Sequence, residues 1–77
     1  MRVSYNGLWK ILIDKGMKKY QLKEAAGISS NSIAKLGKSE PVSMEVLMKI
    51  CKALNCELVD ICEFINEESH DEIAQVK

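Results

Sequence analysis

Histidine occurs once in this 77-residue chain, at position 70, and cysteine three times, at 51, 56 and 62. These scarcities exclude several function classes. An odd number of cysteines without paired spacing is not the framework of a disulfide-stapled secreted domain. A zinc site would need closer cysteine pairs and a histidine beside them, whereas His70 sits in the polar stretch "NEESHDE" and reads as solvated. No Ser/His/Asp or Cys/His arrangement can be drawn. Asp60, Glu63 and Glu67 are spaced as an exposed helix face rather than as paired catalytic acids. "AAGISS" has one glycine and no following lysine, so it is not a phosphate-cradling loop. The chain is therefore expected not to be an enzyme, to need no metal or other cofactor, and to offer no evident small-molecule site.

Long apolar runs are missing as well. Nothing approaches the ~20 residues of a membrane span, and no basic start leads into an apolar stretch as in a signal peptide. The expectation is a cytoplasmic protein with reduced thiols and no membrane partner, the cysteines acting as small hydrophobes on apolar stripes. Net charge is also lacking, with 11 basic and 11 acidic residues. Their distribution is uneven: residues 1–40 hold eight basic against three acidic residues, and residues 41–77 hold three against eight, giving +5 and −5. A polarised molecule can present a basic face while its sum vanishes. Two solvated faces of different composition would give the same counts.

What is present is helical periodicity. The length suits one domain, residues 1–65, followed by a polar, acidic tail at 66–77. Val3 and Tyr5 alternate weakly, as in a short strand or an ordered arm. Asn6 and Gly16 frame a first helix with Leu8, Ile11 and Leu12 on one face and Trp9 and Ile13 on a neighbouring one. Met17 and Leu22 form a hydrophobic staple about a cap at Lys18, with Gln21 at the third helical position. That predicts a second helix over 19–26 with Leu22, Ala25 and Ala26 inward, stopped by Gly27. Ser29 caps a third helix over 30–37, with Ile33 and Leu36 inward. "GKSEP" breaks the chain. Ser43 caps a fourth helix over 44–54, striped by Leu47, Ile50, Cys51 and Leu54, with Asn55 after it. A fifth helix over 58–64 carries Leu58, Ile61, Cys62 and Ile65. If it ends early, "CEFI" at 62–65 could instead pair with Val3 and Tyr5.

The second and third helices with Gly27, Ile28 and Ser29 between them make a helix-turn-helix pattern. Gly27 permits positive φ at the sharp turn, and Ile28 plugs the corner. One face of the third helix is left short-chained and polar, which lets a helix approach the floor of a major groove while flanking lysines meet phosphates.

The stretch "MKKYQLKEAAGISSNSIAKLGKSEPVSMEVLMKICKALNCELVDI" resembles the Cro/C1-type (XRE-like) helix-turn-helix domain of phage repressors and small bacterial regulators, over about residues 7–64. The resemblance implies an all-α, compact five-helix, lambda-repressor-like bundle of bacterial or phage origin. It also implies a sequence-specific regulator of transcription, a repressor, that binds double-stranded DNA as a homodimer and reads it with the third helix. The residues it assigns to DNA are Lys18, Lys19, Ser29, Ser30, Asn31, Ser32, Lys35 and Lys38. Lys19 stands where the family often has a phosphate-contacting glutamine, and lysine can serve there as a point charge. The recognition helix has no arginine or glutamine, so its best base reader is Asn31, which can bond adenine in bidentate fashion.

Lysines at 18 and 19 open a helix whose dipole disfavours cations by roughly 0.3–1 kcal/mol each, and a bound phosphate would reverse that. Trp9 and Ile13 either complete the core under the N-terminal arm or form part of a dimer contact. The rival reading is a protein-interaction module that kept the fold and lost DNA, which zero net charge, Glu40 and the serine-rich third helix favour.

Overall fold

Residues that close one helix and open the next cut the chain into its elements. The computed structural model describes residues 2–66. Strand β1 (Arg2–Ser4) leads into helix α1 (Asn6–Lys15), followed by α2 (Lys19–Ala26), α3 (Ser30–Gly37), α4 (Met44–Leu54), α5 (Leu58–Ile61) and strand β2 (Glu63–Ile65). Gly16, Gly27 and Asn55 end α1, α2 and α4 in the left-handed conformation. The Ser29 and Ser43 hydroxyls accept the Ser32 and Val46 N–H groups at 3.1 and 3.2 Å, each satisfying a donor that the helix start leaves free. At α2 the cap works in reverse: the Lys18 N–H donates to the Gln21 side-chain oxygen at 2.7 Å.

The inward faces of these helices make one core. Tyr5, Leu8, Leu12, Leu22, Ile28, Leu36, Leu47, Ile50, Leu54 and Ile61 are buried together. α1 packs on α5, α2 packs on α3 and α4, and α4 packs on α5. The approach of α1 to α5 depends on Gly7, because a Cβ there would run into the Asp60 carbonyl. Burying a Leu or Ile side chain fully contributes about 1.5–3 kcal/mol. Leu22, Ile28 and Leu36 therefore fix the α2–α3 pair to the body of the protein.

The five-helix bundle is as expected, with α2, α3 and α4 at the residues anticipated. Several details differ. α5 stops at Ile61 instead of running to 64, because Cys62 is extended (φ −146°, ψ 159°) and the chain turns into β2. There Arg2, Val3 and Ser4 pair antiparallel with Ile65, Phe64 and Glu63, so the all-α bundle carries a small two-stranded sheet. Tyr5, not Asn6, holds the position before α1. Ala25 is exposed while Ala26 turns inward, and Leu58 is exposed. Ile13 does not complete the core: it is 76% exposed, since among the described residues no element packs over its side of α1, whereas Trp9 is half-buried against the core. Among the described residues no helix is long and apolar enough to cross a membrane. Except for Asn66, the expected acidic tail at 66–77, including His70, lies outside the described residues.

Candidate nucleic-acid interface

The α2–turn–α3 unit is built from Gly27 outward. With φ 69°, Gly27 lets its own N–H and that of Ile28 return to the Lys23 carbonyl at 2.9 and 3.1 Å, so α2 is closed and the chain turns to Ser29, where α3 is capped. Ile28 is buried in the corner, and Leu36 is fully buried beneath α3. Ile33 is half-buried beside the core.

The remaining face of α3 is what these anchors leave. Ser30, Asn31, Ala34 and Lys35 are exposed, and Lys38 follows them past the helix end. Their spacing places them on one side of a helix. Ser29 and Ser32 behave differently. The Ser29 hydroxyl donates to the Ser32 hydroxyl at 3.1 Å while accepting its N–H, and Ser32 is half-buried. These two assigned residues are thus occupied in capping the helix. Ala34 was not singled out from sequence, although its position three residues after Asn31 was the available signal. A methyl group there can pack on a thymine methyl.

Lys18 and Lys19 flank the start of α2, and the two have different surroundings. Lys18 is exposed and its backbone is tied to Gln21. The Lys19 ammonium lies 4.9 Å from the centroid of the Trp9 ring. It also lies 3.5 Å from the place a Cβ on Gly37 would take, so it sits at the C-terminal end of α3. A helix C-terminus attracts cations as its N-terminus repels them. The dipole penalty expected for Lys19 is therefore offset within the protein by a π face and by the neighbouring helix end. Sequence spacing held no signal of this contact, because the partners lie on different helices. Among the described residues, Lys18, Lys19, Lys35 and Lys38 have no carboxylate within ion-pair distance. Glu24 and Glu40, also exposed, are the acids of this region.

The far end of α3 is tethered. Tyr5 is 2% exposed, and its hydroxyl donates to the Glu40 carbonyl at 2.8 Å, holding the loop after Lys38 against the start of α1. Burial, then the nearby Cys62, pushes the Tyr5 hydroxyl above its ordinary pKa. Burial likewise raises the thiols of Cys51, Cys56 and Cys62. All three are half-buried free thiols and belong to the packing. A separate apolar groove of about 370 Å³ has Val3, Val42 and Leu47 in its walls and Met44, Leu58 and Phe64 exposed along it.

The α2–α3 surface thus combines short polar side chains on a rigid helix, ammonium groups that have no carboxylate within ion-pair distance among the described residues, and the backbone donors of a helix start. That chemistry suits a polyanion read at close range. Comparison with known proteins agrees. A family model described as the Cro/C1-type HTH DNA-binding domain matches residues 7–67. The crystal structure of the transcriptional regulator VanUg (form II) superposes with a TM-score of 0.82 at 57% sequence identity, covering 86% of this chain and 88% of that one. No curated protein matched the sequence.

Proposed function

The chain belongs to the Cro/C1-type HTH DNA-binding domain family, and on that premise we propose that it is a sequence-specific regulator of transcription, acting as a repressor. In this reading α3 enters the major groove, Asn31 and Ser30 read base edges, and Lys18, Lys19, Lys35 and Lys38 meet phosphates. The observation that carries it is the exposed face of α3, where Ser30, Asn31, Ala34 and Lys35 stand clear of the core and, among the described residues, the lysine has no acidic partner. The similarity to a solved transcriptional regulator supports the regulatory role. Ser29 and Ser32 contribute by fixing the start of α3. The chain acts by binding in the cytoplasm, without catalysis and without a metal or other cofactor.

A module this small makes few contacts, so useful affinity calls for a homodimer on two half-sites about one helical turn apart. Sedimentation equilibrium tests the homodimer: a monomer at high concentration contradicts it. Selection of bound fragments from random duplex DNA tests the reading as a whole. A recovered site with two-fold symmetry is expected. Lys19→Ala should weaken binding to every duplex and lower the salt slope by about one unit. A chain that passes through a column of random duplex at low salt would instead be a protein-interaction module.

A further inference from the structure

We propose that Trp9 is a positioning residue for DNA binding: its indole face and the end of α3 together hold the Lys19 ammonium where one backbone phosphate crosses the start of α2. This rests on the reading of α2–α3 as the DNA-facing pair and names a residue outside that pair on which it depends.

The geometry is a three-sided seat. The Lys19 Nζ lies 4.9 Å from the Trp9 ring centroid, inside the ~6 Å over which a ring's negative face attracts a cation. On another side stands Gly37, the last residue of α3, with Nζ 3.5 Å from where its Cβ would be. The carbonyl end of α3 adds negative potential there. The third side is the start of α2, whose own dipole and the neighbouring Lys18 repel the ammonium. The cation therefore leans away from its own helix terminus towards the ring.

The ring is a fixed support. Trp9 is half-buried and packed against the core cluster, and Leu12 and Met17 line the same shallow cleft as Trp9, Lys18 and Lys19. A lysine on a free four-carbon stem samples many rotamers and must be ordered when it meets a phosphate. Resting on the indole, Lys19 loses much of that freedom before DNA arrives. Its residue remains exposed, so ammonium hydrogens stay available to a phosphate. Helix α1 thereby takes part in DNA binding without touching DNA.

The test is a double-mutant cycle on the full chain, read by binding to a fluorescent mixed-sequence duplex across a salt series, after circular dichroism has established that each variant keeps its helices. Trp9→Leu is expected to weaken binding about two- to five-fold and to lower the salt slope. In a Lys19→Ala background the same change should do nothing further. Trp9→Phe, which keeps an aromatic face, should restore most of the loss. Packing alone would give equal losses in both backgrounds and no rescue, which overturns the proposal. So does a silent Trp9→Leu when Lys19→Ala weakens binding. If Lys19→Ala itself leaves affinity and slope unchanged, the phosphate role of Lys19 has failed and the proposal falls with it. Should Trp9→Leu not fold, indole emission decides the matter: its response to duplex should be present in the parent and lost in Lys19→Ala. A response that persists overturns the proposal.

Discussion

Replacing Tyr5 by phenylalanine removes one oxygen atom and leaves a ring of the same shape in the core. The oxygen's partner is the Glu40 carbonyl, 2.8 Å away and 35 residues along the chain. The ring is 2% exposed, so its apolar contribution is retained and the loss is that of one hydrogen bond. A typical intramolecular hydrogen bond contributes about 1 kcal/mol net, within roughly 0.5 either way. The Glu40 carbonyl lies at a loop on the surface, where water can replace the lost donor, which keeps the figure from rising further. For a domain of this length about 1 kcal/mol lowers Tm by about 4–8 °C. Thermal melts followed by circular dichroism at neutral pH measure it, and hydrogen exchange should quicken at residues 38–42. Tyr5→Ala, which also empties the ring's site, should cost about 3–5 kcal/mol. An unchanged Tm in Tyr5→Phe, or a loss as large as that of Tyr5→Ala, would refute the assignment of this bond as the tether of the loop behind Lys38.

Gly27→Ala meets open space but must adopt φ 69°, so it should cost about 1–2 kcal/mol of backbone strain in urea unfolding; equal stability would contradict the turn geometry. Asn31→Ala should relax preference at one base position, costing about 1–3 kcal/mol there, while affinity for unrelated duplexes holds; competition assays with single-base variants of a selected site distinguish the two effects. Burial holds Tyr5 above 10.0 and the thiols of Cys51, Cys56 and Cys62 above 9.0. The unfolded chain therefore releases these protons first, and the stability they lend is full below about pH 9 and falls as pH climbs through their raised values. Urea midpoints should decline over that alkaline range, less steeply in Tyr5→Phe, and a flat profile would contradict the burial argument.

Local chemistry was legible in the sequence and distant chemistry was not. Ser29, Ser43, Gly27 and Asn55 act within a few residues of themselves, so their roles as caps and stops followed from residue type and spacing. The inward stripe of α4 followed from periodicity for the same reason. The end of α5 was legible only as an alternative: "CEFI" could pair with Val3 and Tyr5 if the helix ended early, and "EFI" does pair with Arg2–Ser4 from the other end of the chain, but spacing within 58–65 could not choose between helix and strand. Ile13 sits at a helical spacing that suits a core, yet burial needs a partner element as well as a pattern, and among the described residues none lies over it. At the site, the exposure of Ser30, Asn31 and Lys35 on α3, and of Lys38 just past its end, agrees with the polar face read from the spacing of Ile33 and Leu36. That Ser29 and Ser32 bond to each other, and that Lys19 rests on Trp9 and Gly37, are facts of side-chain direction between elements, which spacing does not encode. Tyr5 was read as part of a strand or arm, and its bond to the Glu40 carbonyl was equally invisible.

The account stands on α2, its turn and α3 forming the surface that meets DNA. Amide chemical shifts of the full chain, followed while a mixed duplex is titrated at low salt, test that directly. The resonances of residues 18–38, with Trp9 beside them, are expected to move and to return as salt is raised. Shifts confined to α4, α5 and the sheet, with 18–38 unmoved, would contradict it.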